Sequence, residues 1–179
     1  MTRRQLTHGR FIRAFEEDYT QYDGTAAVWE FVETPDSARV VALDGQGRVL
    51  LVEDHYFLQQ RRMLVLPGGG VNPDEDPAAA AARELEEETG FRASSVLPLA
   101  VLDQLPSATA ARAHLFVATG LSVGTMAREV SETRMELRWV PLDDAVAAAR
   151  EGRITDAASV AALLLAAARA TPSPSRPPA

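Results

Sequence analysis

The chain contains no cysteine, which excludes disulfides, thiolate metal sites and a cysteine nucleophile. It has no lysine either, so all 18 of its permanently cationic side chains are arginines. They are scattered rather than gathered into a basic run, and 25 acidic residues leave a net charge of −7. That balance offers little to nucleic acid or to an anionic membrane surface, and neither is expected as a partner. No apolar run approaches the roughly eighteen residues of a membrane span. The opening MTRRQLTHGRFIRAF carries charge but no apolar segment of the secretory type, so the default expectation is a cytoplasmic protein. What remains is 179 residues, 46% hydrophobic and 24% charged, enough for one globular domain with a real core.

The most informative stretch is GGVNPDEDPAAAAARELEEETGF, residues 69 to 91. Asp76 suits a helix N-cap, Pro77 the first helical position, and Gly90 the left-handed residue that ends a helix. At 100° per residue, Ala78, Ala82, Leu85 and Thr89 share a face that can pack on a core. Glu84, Glu87 and Glu88 share another, while Glu86 points toward solvent. Three carboxylates in one turn repel each other, and they sit at the negative end of the helix dipole, at a cost of roughly 1 kcal/mol. Arg83 can pair with Glu87 one turn on, and a hard divalent cation would offset the rest. The spacing alone is equally that of a solvated acidic helix face.

The full pattern decides between these. Gly69, five residues, Glu75, seven residues, Arg83-Glu84-Leu85, one residue, Glu87-Glu88, one residue and Gly90-Phe91 fill all nine fixed positions of the Nudix box, and the chain is identified as resembling that family. The resemblance implies an α/β/α sandwich, a mixed β-sheet between helices, and hydrolysis of a nucleoside diphosphate linked to a further group. It implies Mg²⁺ or Mn²⁺ held by Glu84 and Glu88, with Glu87 as a third ligand and the Gly68 carbonyl as a further candidate. Arg83 would orient the glutamates, Glu75 would hold the corner between loop and helix, and Gly69 and Gly90 would serve tight turns. The box leaves the general base unspecified; in the ADP-ribose branch it is often a later loop glutamate, which here means Glu132 or Glu129, with Glu132 preferred for its position beside the next strand.

Along the chain, residues 1 to 9 read as polar and loose, and Phe11 to Phe31 as a hairpin turning at Asp23-Gly24. This region, residues 1 to 35, is either a pair of edge strands or an arm that pairs with a second subunit. ARVVAL and VLLVE flank Asp44-Gly45-Gln46-Gly47 as a hairpin of buried strands, and HYFLQQRRM reads as a loop or strand edge. Strands are expected at residues 96 to 105, 113 to 119 and 135 to 141, with residues 121 to 132 as a loop. Asp143 is expected to cap a short helix and Thr155 a last one, with Val160, Leu163 and Leu164 facing the core. Residues 36 to 170 form the catalytic domain in this reading, and the Pro-rich residues 171 to 179 a disordered tail.

Three features outside the box resemble the ADP-ribose and nucleoside-diphosphate-sugar pyrophosphatases. They are VALDGQGRVLLVEDHY before the box, Pro106 sixteen residues after Gly90, and the terminal EGRITDAASVAALLLA. That branch implies a homodimer exchanging N-terminal strands and a small nucleotide-linked substrate. His55-Tyr56-Phe57 replaces a Gln-Tyr-Arg expected there, so Arg61 or Arg62 is the substitute phosphate contact. Trp29, Phe31 and Tyr56 are candidate platforms for a base, or else ordinary strand-pair residues, and Trp139 is expected in the core. Two other readings stay open: a hydrolase of nucleoside triphosphates or dinucleoside polyphosphates, and a non-catalytic domain that senses ADP-ribose.

Overall fold

A computed structural model describes residues 2–9, 11–127 and 134–170. The first three strands, β1 (Arg3–His8), β2 (Arg13–Thr20) and β3 (Ala26–Glu33), form a separate antiparallel sheet. The expected hairpin is there, with Asp23 Oδ1 accepting from the Thr25 amide at 2.9 Å to set its turn. Residues 3 to 8, expected to be loose, instead form β1 and add a third strand. Its polar residues are held by cross-strand ion pairs, Arg3 with Glu33 and Arg4 with Glu16, and the Arg3 guanidinium lies 3.9 Å over the Phe15 ring.

The main body contains β4 (Ser37–Ala42), β5 (Arg48–Tyr56), β6 (Arg61–Val65), α1 (Pro77–Thr89), β7 (Phe91–Asp103), β8 (Arg112–Val123), β9 (Glu136–Pro141), α2 (Leu142–Arg150) and α3 (Ala157–Ala170). Strands β4, β8 and β7 form one sheet, with β4 and β8 parallel; β6, β5 and β9 form another, all antiparallel. The expected hairpin of β4 with β5 is therefore wrong. The two meet only at an isolated Leu43–Val49 bridge and then diverge into different sheets. Their connection is still tight: Asp44 Oδ1 accepts from the amides of Gln46 and Arg48, each at 2.9 Å. HYFLQQRRM, expected as a loop or strand edge, is the end of β5, a turn and the start of β6. Part of the loop expected from residue 121 is strand, since β8 runs on to Val123.

Both sheets are covered on both faces, giving the α/β/α layering. Val40, Ala42, Leu50, Phe116 and Ala118 pack with Ala80, Ala81 and Leu85 of α1. The alternate residues Val41, Val49, Leu51 and Leu115 pack with Ala145, Val146, Ala162 and Leu163 of α2 and α3. Adjacent residues of one strand thus serve opposite layers, which is why these runs are apolar without alternation. Trp139, expected in the core, is only partly buried: it packs at the edge of the first layer and meets Phe91 edge-on at 5.6 Å.

The helices correct several details. On α1 Leu85 and Thr89 are buried as expected and Ala78 packs against the core edge, but Ala82 is exposed and Ala80, Ala81 and Glu88 are buried instead. Glu86 does not point to solvent: it accepts from Arg92 Nε at 2.8 Å and the Thr125 amide at 2.9 Å. The N-cap of α2 is Pro141, without a side-chain cap, leaving Asp143 in the first turn, where it complements the dipole. On α3 it is Asp156, not Thr155, whose carboxylate accepts from the Ser159 amide at 2.9 Å, and Leu164 faces outward.

For α1 the cap is as expected, with Asp76 Oδ1 accepting from the amides of Ala78 and Ala79 at 2.8 and 3.2 Å. Replacing Asp76 by Ala should lower stability by about 1 kcal/mol, and Asp76→Ser should recover most of it. Urea unfolding of the three proteins measures this; equal midpoints would mean the cap contributes nothing.

Candidate active site

The loop from Leu66 to Asp76 is pinned to β4 by backbone bonds. The Ala38 amide donates to the Gly69 carbonyl, the Val40 amide to Pro67 and the Val71 amide to Asp36, at 2.9, 3.0 and 2.8 Å. Gly68 adopts φ +146, and a Cβ there would run into the Ala38 carbonyl oxygen. At Gly69 the constraint is a neighbouring side chain rather than a turn: a Cβ would stand 2.5 Å from the Glu84 carboxylate. The backbone must pass this close because the glutamates of α1 lie directly beneath it.

Arg83 is the hub. Its Nε donates to Glu75 Oε1 at 2.9 Å and its Nη2 to Glu75 Oε2 at 3.0 Å, a bidentate pair. Nη1 donates to Glu84 at 2.7 Å and to Glu87 at 3.0 Å, and Nη2 also reaches the Gly70 carbonyl at 3.0 Å. The Arg83 hydrogen bonds, joined by the Asn72 amide, hold the Glu75 carboxyl down at about 2. The same carboxylates push the Arg83 pKa further up. Glu88 turns the other way: it is 7% exposed, and its Oε2 accepts from the Gly68 amide at 2.9 Å.

Glu84, Glu87 and Glu88 therefore line one cavity of about 360 Å³ with Gly68, Gly69 and Arg83. Phe11, Pro35, Val71, Asn72 and Pro73 border it and also border a second cavity of about 730 Å³. That larger space lies between the N-terminal sheet and the box loop, and adds His8, Arg13, Glu33 and Asp36 to its walls. Asp36 is fixed there by His114 Nε2 at 2.7 Å and the Arg112 amide at 2.8 Å. Burial would raise the Asp36 pKa, but these bonds outweigh it and hold the carboxyl below its usual range.

Among the described residues, no three acidic or histidine side chains form a closed metal cage. The donor chemistry nevertheless fits a hard divalent ion: several carboxylates face one small cavity and share a single guanidinium.

The other described sequence candidates are not among the residues lining either cavity. Tyr56 is half-buried at the end of β5, within electrostatic reach of Arg39, Glu88, Asp156 and Asp54; burial pushes its phenol up, so it stays a neutral hydroxyl. Arg61 donates to Thr155 Oγ1 at 2.7 Å, and Arg62 pairs with Glu136 at 2.9 Å. Trp29 meets Tyr19 edge-on and donates to the Ser107 carbonyl at 3.2 Å, next to the exposed Pro106. Phe31 stacks on Phe15. Glu129 and Glu132 fall outside the described residues. The sequence reading passed over Phe11, Asp36, His114 and Arg39. Arg39 had a signal, being a charge inside the otherwise apolar run ARVVAL.

The NUDIX domain profile matches residues 33–163. A CMP-5'-(N-acetyl-N-hydroxy-3-aminopropyl)phosphonate hydrolase of Streptomyces rubellomurinus is 33% identical, the match covering 90% of this chain and 78% of that protein. An ADP-ribose pyrophosphatase of Bacillus subtilis is 29% identical over 91% of this chain and 89% of its own. The crystal structure of an ADP compounds hydrolase superposes with a TM-score of 0.83 at 20% identity, covering 94% of this chain and 91% of the other.

The Arg83 array yields a pH prediction. The Glu75 pKa is about 2 in the fold against 4.5 unpaired, so its pairing stabilises the protein fully above pH 4.5 and is lost as pH falls toward 2. Stability measured from pH 6 to pH 3 should fall more steeply for the parent than for Glu75→Gln; parallel curves would show that the pair is not coupled to folding. Gly69→Ala should leave the protein folded but displace Glu84, with a loss of metal affinity readable by calorimetric titration of Mn²⁺. Unchanged affinity would rule out that packing constraint.

Proposed function

The chain belongs to the Nudix family, and from that premise we propose a nucleotide-sugar pyrophosphohydrolase. In this reading the substrate is ADP-ribose or a related nucleoside diphosphate sugar, and the products are a nucleoside monophosphate and a sugar phosphate. One observation carries the proposal. The carboxylate cavity at Glu84, Glu87 and Glu88 shares a wall with a larger one that has room for a nucleoside, so a substrate with a pyrophosphate and two bulky ends can be accommodated.

Glu84 and Glu88 would hold the divalent ion, Mg²⁺ or Mn²⁺, with Glu87 and the Gly68 carbonyl as further ligands. When bound, such an ion neutralises pyrophosphate charge and orients the attacking water. The chain's own groups do the rest. Arg83 keeps Glu84 and Glu87 in fixed rotamers and balances part of their charge. The Gly68 amide fixes one oxygen of Glu88. Glu132 takes the proton from water as its oxygen bonds to phosphorus and the P–O–P bridge breaks, the bridging oxygen leaving with one product. Phe11 and Val71, at the junction of the cavities, give an apolar surface for a base or sugar. The three-stranded sheet β1–β3 is proposed as the homodimer arm, with Trp29, Tyr56, Arg61, Arg62 and Pro106 around the substrate's outer parts, and a cytoplasmic protein is the accompanying expectation.

A second reading of the substrate has its own support in the similarity to a CMP-phosphonate hydrolase. The base could then be cytosine and the distal group a phosphonate rather than a sugar.

The test is a panel of ADP-ribose, ADP-glucose, GDP-mannose, a CMP-linked phosphonate, diadenosine polyphosphates and a nucleoside triphosphate, each with Mg²⁺ and with phosphate release read after a coupled phosphatase. Turnover of ADP-ribose or a nucleotide sugar supports the proposal. Turnover of the triphosphate alone refutes it, and binding of ADP-ribose without turnover points to a sensor. Glu88→Gln keeps an acceptor for the Gly68 amide and should fold, but should lose about 100-fold or more in kcat, as removal of a metal-borne charge requires. Normal turnover by that variant would refute the metal assignment.

A further inference from the structure

We infer that Arg39 is a substrate-contacting residue, a guanidinium that receives the phosphate oxygens beside the Glu88 carboxylate. The inference rests on the reading above that this site takes a diphosphate. Arg39 stands in β4 immediately after Ala38, whose carbonyl is the atom packed against Gly68; its Cα is 3.0 Å from where a Gly68 Cβ would sit. Gly68 in turn donates to Glu88. Arg39 is thus one backbone contact away from the proposed metal ligands, on the strand that crosses under the box loop.

Its side chain is 17% exposed, yet its bonding is incomplete. Nη1 donates to the Ala38 carbonyl at 3.2 Å, while Nε is buried with no hydrogen-bond partner. Asp156 Oδ2 is 3.7 Å from this Nε, an ion pair without a hydrogen bond. That oxygen already accepts from the Ser159 amide at 2.9 Å and from Ser159 Oγ at 2.6 Å, so Asp156 serves chiefly as the cap of α3. A buried guanidinium donor left unmade is costly, and native structures rarely keep one without a reason. An anionic ligand supplies the reason. Arginine is weakly hydrated and presents its donors in a planar fork, which matches two phosphate oxygens.

Other groups lie within reach of the same region. Tyr56 lies within electrostatic range of both Arg39 and Glu88. The two arginines of β6 are already engaged: Arg61 on Thr155 and Arg62 on Glu53 and Glu136. Arg39 is the one arginine of this face with a buried, unpartnered N–H among the described residues.

The experiment compares parent, Arg39→Gln, Arg39→Lys and Asp156→Asn. Inorganic pyrophosphate and ADP binding are measured by calorimetry, kcat and KM are measured on whichever substrate the parent turns over, and thermal unfolding is recorded for all four. Arg39→Gln should weaken pyrophosphate and ADP binding by about tenfold or more, raise KM similarly and melt near the parent. Arg39→Lys, which keeps the charge without the fork, should fall between the two, and it decides the matter if the Gln variant does not fold. Asp156→Asn should bind pyrophosphate at least as tightly as the parent. Unchanged pyrophosphate binding in the Arg39 variants, with a lowered melting temperature, would make Arg39 a structural tie to α3 and overturn the inference. A parent that binds pyrophosphate but turns over no diphosphate would instead overturn the functional reading and leave Arg39 standing.

Discussion

Three carboxylates, two on the second half of one helix and one on the loop before it, are held together by a single guanidinium. Arg83 uses Nε and both terminal nitrogens at once, bridging Glu75 on the loop to Glu84 and Glu87 on α1 and adding the Gly70 carbonyl. Without it, the helix would carry adjacent negative charges at the end where its dipole is also negative. With it, the same charges become a fixed, closely spaced set of oxygen ligands. The glycines at 68 and 69 follow from this, since the backbone must lie against Glu84 and Glu88 with no side chain between them.

How much of this was legible beforehand depended on how local the determinants were. The helix of the box was read with its ends correct, because Asp76, Pro77 and Gly90 act within a turn of where they stand. Its rotational phase was right at Leu85 and Thr89 and wrong in the alanine run. The run Ala78 to Ala82 is apolar all round and says nothing about which alanines are buried, so Ala80 and Ala81 could not be separated from Ala78 and Ala82. Asp156 displaced Thr155 as a cap for a similar reason: both residues are competent, and only the Ser159 contact chooses.

Strand identity was readable and strand partnership was not. ARVVAL and VLLVE were recognised as buried strands, and the tight Asp44 turn between them argued for a hairpin. What separates them is competition from distant partners, β8 for one and β6 with β9 for the other, and nothing in either run encodes that. The polar segment β1 was missed because its stability comes from cross-strand ion pairs and a cation over an aromatic ring, not from apolar pattern. Arg39 illustrates the opposite case, a local anomaly in plain view whose meaning needed the fold.

The parallel pairing of β4 with β8 has a kinetic corollary. The contact between Asp36 and Arg112, at one end of that pair, closes a loop of 76 residues, whereas the N-terminal sheet is built from neighbouring segments and one short hairpin. Loop-closure entropy makes the long pairing slow and the local one fast. The box loop is bonded to β4 itself, so Glu88 and Gly68 cannot take up their final arrangement against that strand until β4 is seated. The contacts of the arm are thus local in sequence, whereas the arrangement of Glu88 against Gly68 depends on a strand whose own pairing spans most of the domain.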